Sequence, residues 1–358
     1  MVARCSAPSE LAIVTTMRTV PTLADLVDAH IRRWETASVE QGVFRSADPE
    51  VVAAQMEDFA LAALGAKVAE ALFYGSSAGC VAGVVLDDGR RVVIKAYQGR
   101  WATPFLTAVR RIQEHLAESG FPCPRPILGP ESAGPALATV EELVPDPGMR
   151  TLTSDSEMAA SARGLSRQVA LCRGLTDPGL RDHHPLRAPS GQLYPQPHNP
   201  LFDFSLRAAD ACWIDDLAEA AKAARGADDS VPTIAHTDWS ARNVRIDDQE
   251  VVVVYDWDSL AVVTESVAVG QAAATWRSTG EASDPIAPGP DEVLAYLSAY
   301  EAGAGRPFSR MQRRAGLAAA LWVLAYTARC EHALEAATGR RVERGRARLA
   351  ADGRAYLQ

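Results

Sequence analysis

The sequence predicts an α+β fold of two lobes, with a small antiparallel β-sheet in the N-terminal lobe and a larger, mostly α-helical C-terminal lobe. Short apolar runs separated by turn-forming residues precede position 144. The patch Pro145-Asp-Pro-Gly148 then interrupts any regular element. Beyond it, apolar residues recur at helical spacing. We therefore predict an N-terminal lobe over 1–144 and a C-terminal lobe over 145–358.

The N-terminal lobe begins with a predicted helical extension over 18–70. Its two helices cover 22–37 and 47–68, because apolar residues repeat there with helical periodicity. Ser46 is the predicted N-cap of the second helix. The stretch before the extension, Met1–Met17, has only a short apolar run and is too weak for a secretory signal, so we expect a frayed tail.

The sheet of the N-terminal lobe is predicted over 71–144. Period-two runs with intervening Gly, Ser and Asp residues mark four strands, at Ala71–Tyr74, Val81–Leu86, Arg91–Tyr97 and Leu137–Val144. A helix is predicted over Thr103–Ser119, where Gly120 stops it. The following segment, Phe121–Pro126, contains three prolines and must be extended or turning.

The C-terminal lobe contains long stretches with helical periodicity. We predict five helices, over 155–174, 203–225, 265–277, 290–302 and 310–336. A proline-rich segment over 176–202 is predicted to be a loop. The one strongly β-like part of this lobe is a hairpin over 234–259.

Charge and cysteine usage narrow the class of partner. The chain has 358 residues and a formal net charge of −9, which disfavours binding to nucleic acid or to an anionic membrane and suits a cationic substrate. No apolar run approaches the ~20 residues of a membrane span. The six cysteines lie far apart without metal-ligand spacing, so we expect free thiols in a cytoplasmic protein. We expect this protein to be a monomer or a homodimer.

The predicted hairpin carries a dense set of polar residues. The sequence His236-Thr-Asp238 is followed by Asn243, and an apolar strand then ends at Asp256. A turn centred between Gln249 and Glu250 would place Asn243 opposite Asp256, with their Cα atoms ~4.5–5.5 Å apart. An amide oxygen and a carboxylate at this separation can share a Mg²⁺ ion. Asp238, just before the first strand, would then orient an attacking hydroxyl group or accept its proton.

This segment resembles the catalytic and metal-binding loops of the aminoglycoside phosphotransferase family, which has a bilobal protein-kinase-like fold. The resemblance implies that the chain uses ATP and Mg²⁺. It further implies that Asp238 is the catalytic aspartate, that Asn243 and Asp256 are the Mg²⁺ ligands, and that His236 braces the loop. Asp258 matches an additional acidic residue of the family, and Trp239 stands where an aliphatic residue is more usual.

The nucleotide-binding half is predicted around Lys95, which lies in the apolar strand Arg91–Tyr97 and is costly to bury without an anionic partner. The resemblance implies that Lys95 contacts the α- and β-phosphates of ATP and that the hinge backbone at Glu142 and Val144 binds adenine. The alternative for Lys95 is a solvent-facing lysine on an edge strand. Ser76 and Ser77 could cover the phosphates, although the turn lacks a GxGxxG spacing and a plain hairpin turn is the alternative.

The partner of Lys95 is the main departure from the family pattern. The family pairs this lysine with a glutamate on the following helix, but Val109 stands at that position. Gln113 and Glu114, one helical turn further on, are the two candidates to replace it. Gln113 would supply a neutral hydrogen bond in place of an ion pair.

The acceptor is predicted to be a small molecule with a free hydroxyl group. Thr237 replaces the arginine that precedes the catalytic aspartate in regulated protein kinases, and no long activation segment separates Asp256 from the helix at Glu265. Candidate acceptor-binding acids are Asp258, Glu265 and Glu331, with Asp203, Asp210, Asp215, Asp216 and Glu335. Trp276, Trp322 and Tyr326 could stack on a sugar ring or pack in the core, and His198-Asn199 could form a lid or a turn.

The sequence thus predicts an ATP- and Mg²⁺-dependent O-phosphotransferase acting on a small, cationic molecule such as an aminoglycoside-like antibiotic or an amino sugar. One alternative is a metabolite kinase for a homoserine-, choline- or fructosamine-like acceptor. A third is a nucleotide-binding pseudokinase that acts as an interaction module, which the missing helix glutamate would favour.

Overall fold

The computed structural model describes residues 20–281 and 283–358. The predicted tail Met1–Met17 and the thiol of Cys5 lie outside these ranges. Within them, five cysteines are free thiols, as predicted: Cys80, Cys123, Cys172, Cys212 and Cys330. None of the helices in the described ranges is both long and apolar enough to cross a membrane.

Three helices form the N-terminal extension, α1 (Leu23–Trp34), α2 (Ser38–Phe44) and α3 (Pro49–Leu64). The predicted helix over 22–37 ends early because Glu35 adopts a left-handed backbone, with φ of 54°. The separate short helix α2 was not predicted.

The start of α3 also differs from the prediction. Its N-cap is Asp48, whose carboxylate accepts the Glu50 N–H at 3.0 Å, and Pro49 occupies the first helical position. Ser46 lies two residues earlier, where its hydroxyl accepts the Asp48 N–H at 3.1 Å. The proline therefore moved the cap two residues beyond the predicted one.

The N-terminal lobe contains a five-stranded antiparallel sheet in the order β1-β2-β3-β5-β4. Its strands are β1 (Val68–Ser76), β2 (Gly79–Leu86), β3 (Arg91–Tyr97), β4 (Pro126–Ala133) and β5 (Ala136–Glu142), with helix α4 (Thr103–Glu118) after β3. Strand β4 was not predicted, and only the proline-containing segment that leads into it, Phe121–Pro126, was expected to be extended or turning. The strand lies at the sheet edge, where a proline without an N–H is tolerated.

The C-terminal lobe is mainly helical, as predicted. Its helices are α5 (Asp155–Leu171), α6 (Pro178–Asp182), α7 (Cys212–Arg225), α8 (Glu265–Thr275), α9 (Pro290–Ala304), α10 (Arg310–Thr338) and α11 (Arg344–Asp352). Short 3₁₀ turns cover Ala208–Ala211, Trp257–Ser259 and Gly353–Leu357. Helix α6 interrupts the predicted loop over 176–202, α7 begins nine residues later than predicted from 203, and α11 was not predicted.

Four short strands of this lobe form two pairs. Strand β6 (Thr233–His236) pairs with β9 (Leu260–Val263), and β7 (Val244–Asp247) forms the predicted hairpin with β8 (Glu250–Val254). These pairs bring the beginning and the end of the 234–259 segment together. The polar residues of the motif therefore lie close together, next to two hydrogen-bonded strand pairs.

Two hydrophobic cores hold the molecule together. One lies between α1–α3 and the sheet, and the other fills the C-terminal lobe. Helix α4 belongs to the second core, because its Phe105 and Leu116 are fully buried in the same cluster as Trp257 beside the hairpin. Helix α4 therefore ties the sheet that precedes it to the lobe that carries the hairpin.

Helices α8 and α10 cross at two glycines, Gly270 and Gly316. A Cβ atom added to Gly270 would lie 2.7 Å from the Gly316 carbonyl carbon and closer still to its oxygen. The backbones meet here without side chains between them. This close approach positions α8, which directly follows β9, against the long helix α10.

We predict that Gly270→Ala lowers the free energy of unfolding by about 3 kcal/mol, because the methyl group must push two helix backbones apart. Urea unfolding followed by circular dichroism measures the change. Gly42→Ala is the matched helical control, since its added Cβ meets nothing nearer than 3.9 Å. We expect that control to be neutral or slightly stabilising, and equal losses in both variants would contradict the argument.

Candidate active site

The β7–β8 hairpin ends in a two-residue turn at Asp248 and Gln249, both with positive φ, of 44° and 64°. Such a turn matches the twist of the strands. The predicted register is wrong, however. Asp247 pairs with Glu250, a bulge follows, and the Tyr255 N–H donates to the Asn243 carbonyl at 2.9 Å. Asn243 thus lies opposite Tyr255, one residue before Asp256.

Asp256 has a left-handed backbone, with φ of 64° and ψ of 52°. Aspartate tolerates this conformation better than most residues with a side chain. Strand β8 ends two residues earlier, at Val254, and the left-handed backbone of Asp256 turns the chain sharply into the 3₁₀ turn Trp257–Ser259. Strand β9 and then α8 follow directly, so the predicted short connection from Asp256 to a helix at Glu265 is confirmed.

Asp238 and Asn243 are joined by their side chains. The Asn243 amide nitrogen donates to Asp238 Oδ2 at 2.8 Å and to the Asp238 carbonyl at 3.0 Å. Both acceptors require the NH₂ group on this side, so the amide oxygen of Asn243 points elsewhere. Asn243 is buried, whereas Asp238 is partly exposed. The loop therefore presents a carboxylate held in one orientation.

His236 is fully buried and braces this loop against the strand that ends at Asp256. Its Nε2 donates to the Tyr255 carbonyl at 3.0 Å, and its ring packs edge-on against Trp239 and Trp257. Burial lowers the pKa of His236, against the opposing effect of the Asp238 carboxylate. The histidine is therefore a neutral structural link. Trp239 is buried too, and its Nε1 donates to the Ser161 carbonyl at 3.1 Å.

Lys95 lies at the centre of the site, on β3, and is only 7% exposed. Its Nζ lies 3.2 Å from Glu141 Oε1 and 3.6 Å from Asp256 Oδ1. Burial disfavours the charged lysine, but the two carboxylates outweigh burial and raise the pKa of Lys95 well above its usual value. Lys95 therefore joins the sheet of one lobe to the hairpin of the other.

The partner of Lys95 is Glu141 on β5, which sequence reasoning missed. Neither candidate on α4 bonds the lysine directly. Glu114 is exposed on the outer face of α4, and the Gln113 amide donates to Glu141 Oε2 at 3.0 Å and to the Pro124 carbonyl at 2.9 Å. Gln113 therefore orients the glutamate, and the glutamate binds the lysine.

A signal for Glu141 was present in the sequence. It lies in the apolar strand Ala136–Glu142, two residues from Thr139, which is directly opposite Lys95. Residues two apart on a strand share a face. A glutamate and a lysine are both costly to bury alone. When they lie on one face of neighbouring strands, they are expected to form an ion pair.

Asp256 and Asp258 form an acidic pair beside Lys95. Burial would raise the pKa of Asp256, but the charge of Lys95 outweighs burial and holds that pKa below its usual value. Burial, and then the neighbouring Asp256 carboxylate, raise the pKa of Asp258 well above its usual range. The two acids are therefore unlike: the pKa of Asp256 lies below the usual value of an aspartate, and that of Asp258 lies well above it.

The β1–β2 turn is already occupied by protein contacts. The Ser76 N–H and hydroxyl both lie within 3.1 Å of His30 Nε2, and the Ser77 N–H donates to the Gly79 carbonyl at 3.0 Å. Within the described ranges, the Ser77 hydroxyl and the Ala78 N–H have no partner. The turn therefore offers these two donors, and not the Ser76 amide.

The predicted hinge follows β5. The Glu142 N–H donates to the Arg125 carbonyl at 2.8 Å, and the Val144 carbonyl accepts the Tyr255 hydroxyl at 3.5 Å. The Val144 N–H has no partner among the residues that the structure describes. One backbone donor is thus available where the sequence predicted adenine binding.

Two predicted acceptor-binding acids have protein partners. Glu265 accepts the Tyr300 hydroxyl at 2.7 Å and forms an ion pair with Arg306. Glu331 is 5% exposed and accepts three backbone N–H groups at 3.0–3.1 Å at the start of α11. Both carboxylates hold helices together within the protein.

The remaining candidate acids lie on α7, on α10 or in the preceding loop. Asp215 forms an ion pair with Arg329, and Glu335 forms one with Arg346. The Asp203 carboxylate accepts a hydrogen bond from the Ser205 N–H. Asp210 and Glu335 line a cavity of about 380 Å³ between α7, α10 and α11, which includes no residue of the hairpin. Asp216 is exposed on α7.

The proline-rich loop over 176–202 contacts the N-terminal lobe. The His198 carbonyl accepts hydrogen bonds from Arg100 Nη2 at 2.8 Å and from Gln98 Nε2 at 3.2 Å. Nδ1 of the His198 ring lies 3.2 Å from the Tyr326 hydroxyl. Tyr326 stacks on Trp322, with ring centroids 6.0 Å apart. Trp276 is buried. These aromatic residues pack in the core of the lobe.

We predict that Glu141→Gln lowers the free energy of unfolding by about 3 kcal/mol, since it breaks a buried ion pair and leaves the lysine charge poorly compensated. Adding Gln113→Glu should recover part of this loss, because it restores a carboxylate beside the lost one. Chemical unfolding of both variants measures this, with exposed Glu142→Gln as the matched control. A double variant no more stable than Glu141→Gln would contradict the geometry.

Comparison with known proteins agrees with this architecture. The sequence profile of the phosphotransferase enzyme family matches residues 84–311, more than half of the chain. No curated protein sequence matches significantly. The amicoumacin kinase hAmiN, solved with AMP-PNP, Ca²⁺ and Ami, superposes with a TM-score of 0.51 at 14% identity, over 76% of this chain and 89% of that kinase.

Further similar structures have lower TM-scores. The macrolide 2′-phosphotransferase MphH from Brachybacterium faecium aligns with a TM-score of 0.45 at 18% identity, over 80% of this chain and 98% of that enzyme. A putative fructosamine-3-kinase from Thermobifida fusca aligns with the same score and identity, over 80% and 96% of the two chains. The profile match and the shared fold confirm the resemblance on the hairpin: the chain belongs to the phosphotransferase enzyme family and is a small-molecule kinase with a protein-kinase-like fold.

Proposed function

We propose that this kinase is an ATP- and Mg²⁺-dependent O-phosphotransferase that moves the γ-phosphoryl group of ATP to a hydroxyl of a small molecule. The observation that carries the proposal is one cluster of four side chains. Asp238 is held by Asn243, and Lys95 is paired with Asp256 across the two lobes. A positioned carboxylate, hard oxygen donors and a buried cation are the parts that phosphoryl transfer requires.

Asn243 and Asp256 fit a Mg²⁺ ion. The Asn243 NH₂ group is engaged by Asp238, which leaves its amide oxygen as the free donor, and Asp256 is ionised. Mg²⁺ prefers few protein oxygens and fills its remaining positions with phosphate and water. When bound there, the ion would neutralise charge on the β- and γ-phosphates. A relative of the same fold was solved with AMP-PNP and Ca²⁺, which agrees with a nucleotide and a divalent cation.

The nucleotide would bind between β3, the hinge and the β1–β2 turn. Lys95 would attract the α- and β-phosphates, because its ammonium group keeps its charge and is held by Glu141. The unpartnered Val144 N–H supports adenine binding at the hinge. The Ser77 hydroxyl and the Ala78 N–H support phosphate contact from the turn.

Asp238 would orient the acceptor hydroxyl and accept its proton. A bond forms between the hydroxyl oxygen and the γ-phosphorus as the bond from that phosphorus to the β-phosphate oxygen breaks, and ADP leaves. The hydroxyl proton passes to the Asp238 carboxylate and then to water. The hydrogen bonds from Asn243 hold the carboxylate in place, so that little reorganisation is needed during transfer.

The acceptor is best described as an amino sugar or a related hydroxylated metabolite with few ammonium groups. A multiply charged aminoglycoside needs several free carboxylates. Four of the acids considered for this task form ion pairs or hydrogen bonds within the protein: Asp215, Glu265, Glu331 and Glu335. This pairing favours an acceptor with few ammonium groups, either an amino sugar or one of the metabolites of the alternative prediction, over an aminoglycoside. A pseudokinase is disfavoured because the loss of the helix glutamate is compensated by Glu141.

We predict that Asp238→Asn lowers kcat by at least about 100-fold while ATP binding is retained, because the proton acceptor is lost but the nucleotide contacts remain. ADP release against a panel of amino sugars, aminoglycosides, macrolides, homoserine and choline measures turnover. Asp247→Asn, at the exposed end of β7, is the matched control. Full activity of Asp238→Asn would contradict the assignment, and ATP binding without turnover on any acceptor would favour the pseudokinase.

We further predict that Asp256→Asn raises the Mg²⁺ concentration for half-maximal activity at least about tenfold, because the neutral amide is a weaker ligand. A Mg²⁺ titration at saturating ATP measures the shift. Asp247→Asn again serves as the control. An unchanged Mg²⁺ requirement would remove Asp256 from the metal site.

A further inference from the structure

The helical extension at the N-terminus reaches the nucleotide side of the fold. Helices α1–α3 precede the family match, which begins at residue 84. Leu23 and Val27 of α1 are buried in the same core as the sheet. The extension therefore packs directly against the β1–β2 hairpin, and the family profile does not assign it a role.

His30 of α1 contacts the end of β1 through one ring nitrogen. Its Nε2 lies 3.1 Å from the Ser76 nitrogen and 3.0 Å from the Ser76 hydroxyl. A backbone N–H can only donate, so Nε2 is the acceptor and a proton is carried on Nδ1. The ring packs edge-on against Tyr74 at 5.5 Å. Burial lowers the pKa of His30, which favours this neutral form.

The opposite arm of the turn is held by a second side chain. Gln98, just after β3, donates to the Ala78 carbonyl at 2.7 Å. Gly79 allows the turn to lie against β3, since an added Cβ would be 2.5 Å from the Ala96 carbonyl oxygen. The turn lacks a regular glycine motif, and its shape is therefore imposed by His30 on one arm and Gln98 on the other.

We propose that His30 is a positioning residue that fixes the β1–β2 turn above the phosphates of the nucleotide. This inference rests on the proposed function. It means that the N-terminal extension contributes to nucleotide binding, because its His30 positions the β1–β2 turn. His30 does not touch the nucleotide. It engages the Ser76 N–H, and the Ser77 hydroxyl and the Ala78 N–H remain as the turn's donors without a partner among the described residues.

The test compares His30→Leu with His30→Gln in the full chain. Leucine offers no acceptor to the Ser76 N–H, and we expect KM for ATP and the dissociation constant of AMP-PNP with Mg²⁺ to rise about tenfold. The acceptor KM and kcat should change by less than about threefold. The amide oxygen of glutamine can accept the same N–H, so His30→Gln should return ATP affinity to within about threefold of the wild type.

Tyr74→Phe separates positioning from general loosening of the lobe. It removes the 3.0 Å hydrogen bond from the Tyr74 hydroxyl to Glu40 beneath the same hairpin but leaves the turn contacts intact. Unchanged ATP affinity in this variant, with weaker affinity in His30→Leu, supports the inference. Equal losses in both variants, or no rescue by glutamine, would overturn it. If the wild-type chain binds no AMP-PNP, the proposed function itself fails, which is a different outcome.

Discussion

The buried ammonium group of Lys95 constrains much of the rest of the structure. A cation that is 7% exposed is tolerated only beside anionic partners, and here the two partners come from different parts of the chain. Glu141 belongs to the neighbouring strand of the same sheet, whereas Asp256 follows the hairpin of the other lobe. The pairing with Asp256 is therefore satisfied only when the two lobes stand in one relative position.

The surrounding elements maintain that position. Helix α4 contributes Gln113 to the Glu141 carboxylate on one side, and on the other it buries Phe105 and Leu116 in the core of the C-terminal lobe. Val109 stands on α4 where the resemblance implies a glutamate, and Gln113, one turn further on, reaches the lysine only through Glu141 of β5. As a result, the lysine is anchored by the rigid sheet, and the helix only supports its partner.

Some side chains of the site are held by hydrogen bonds within one loop, and others are held by residues that are distant in sequence. His236, Asp238 and Asn243 lie within one loop, where local hydrogen bonds orient them. The β1–β2 turn is held by His30 of α1 and by Gln98, just after β3, which lie 46 and 20 residues away in sequence from the residues they bind. The loop motif is therefore recognisable in one segment, whereas the turn depends on packing that no local pattern displays.

The sequence by itself determined the α+β class, most of the helices, the hairpin and its acidic and amide residues, since these depend on periodicity and on spacing within one segment. It could not determine the hairpin register, because a two-residue turn and a bulge compete with the symmetric pairing that spacing suggests. It also missed strand β4, whose prolines are tolerated only because tertiary structure places it at an edge. Only the tertiary structure decided that Glu141 pairs with Lys95 and that Asp215, Glu265 and Glu335 pair with arginines, because burial and long-range contacts decide which charges find partners.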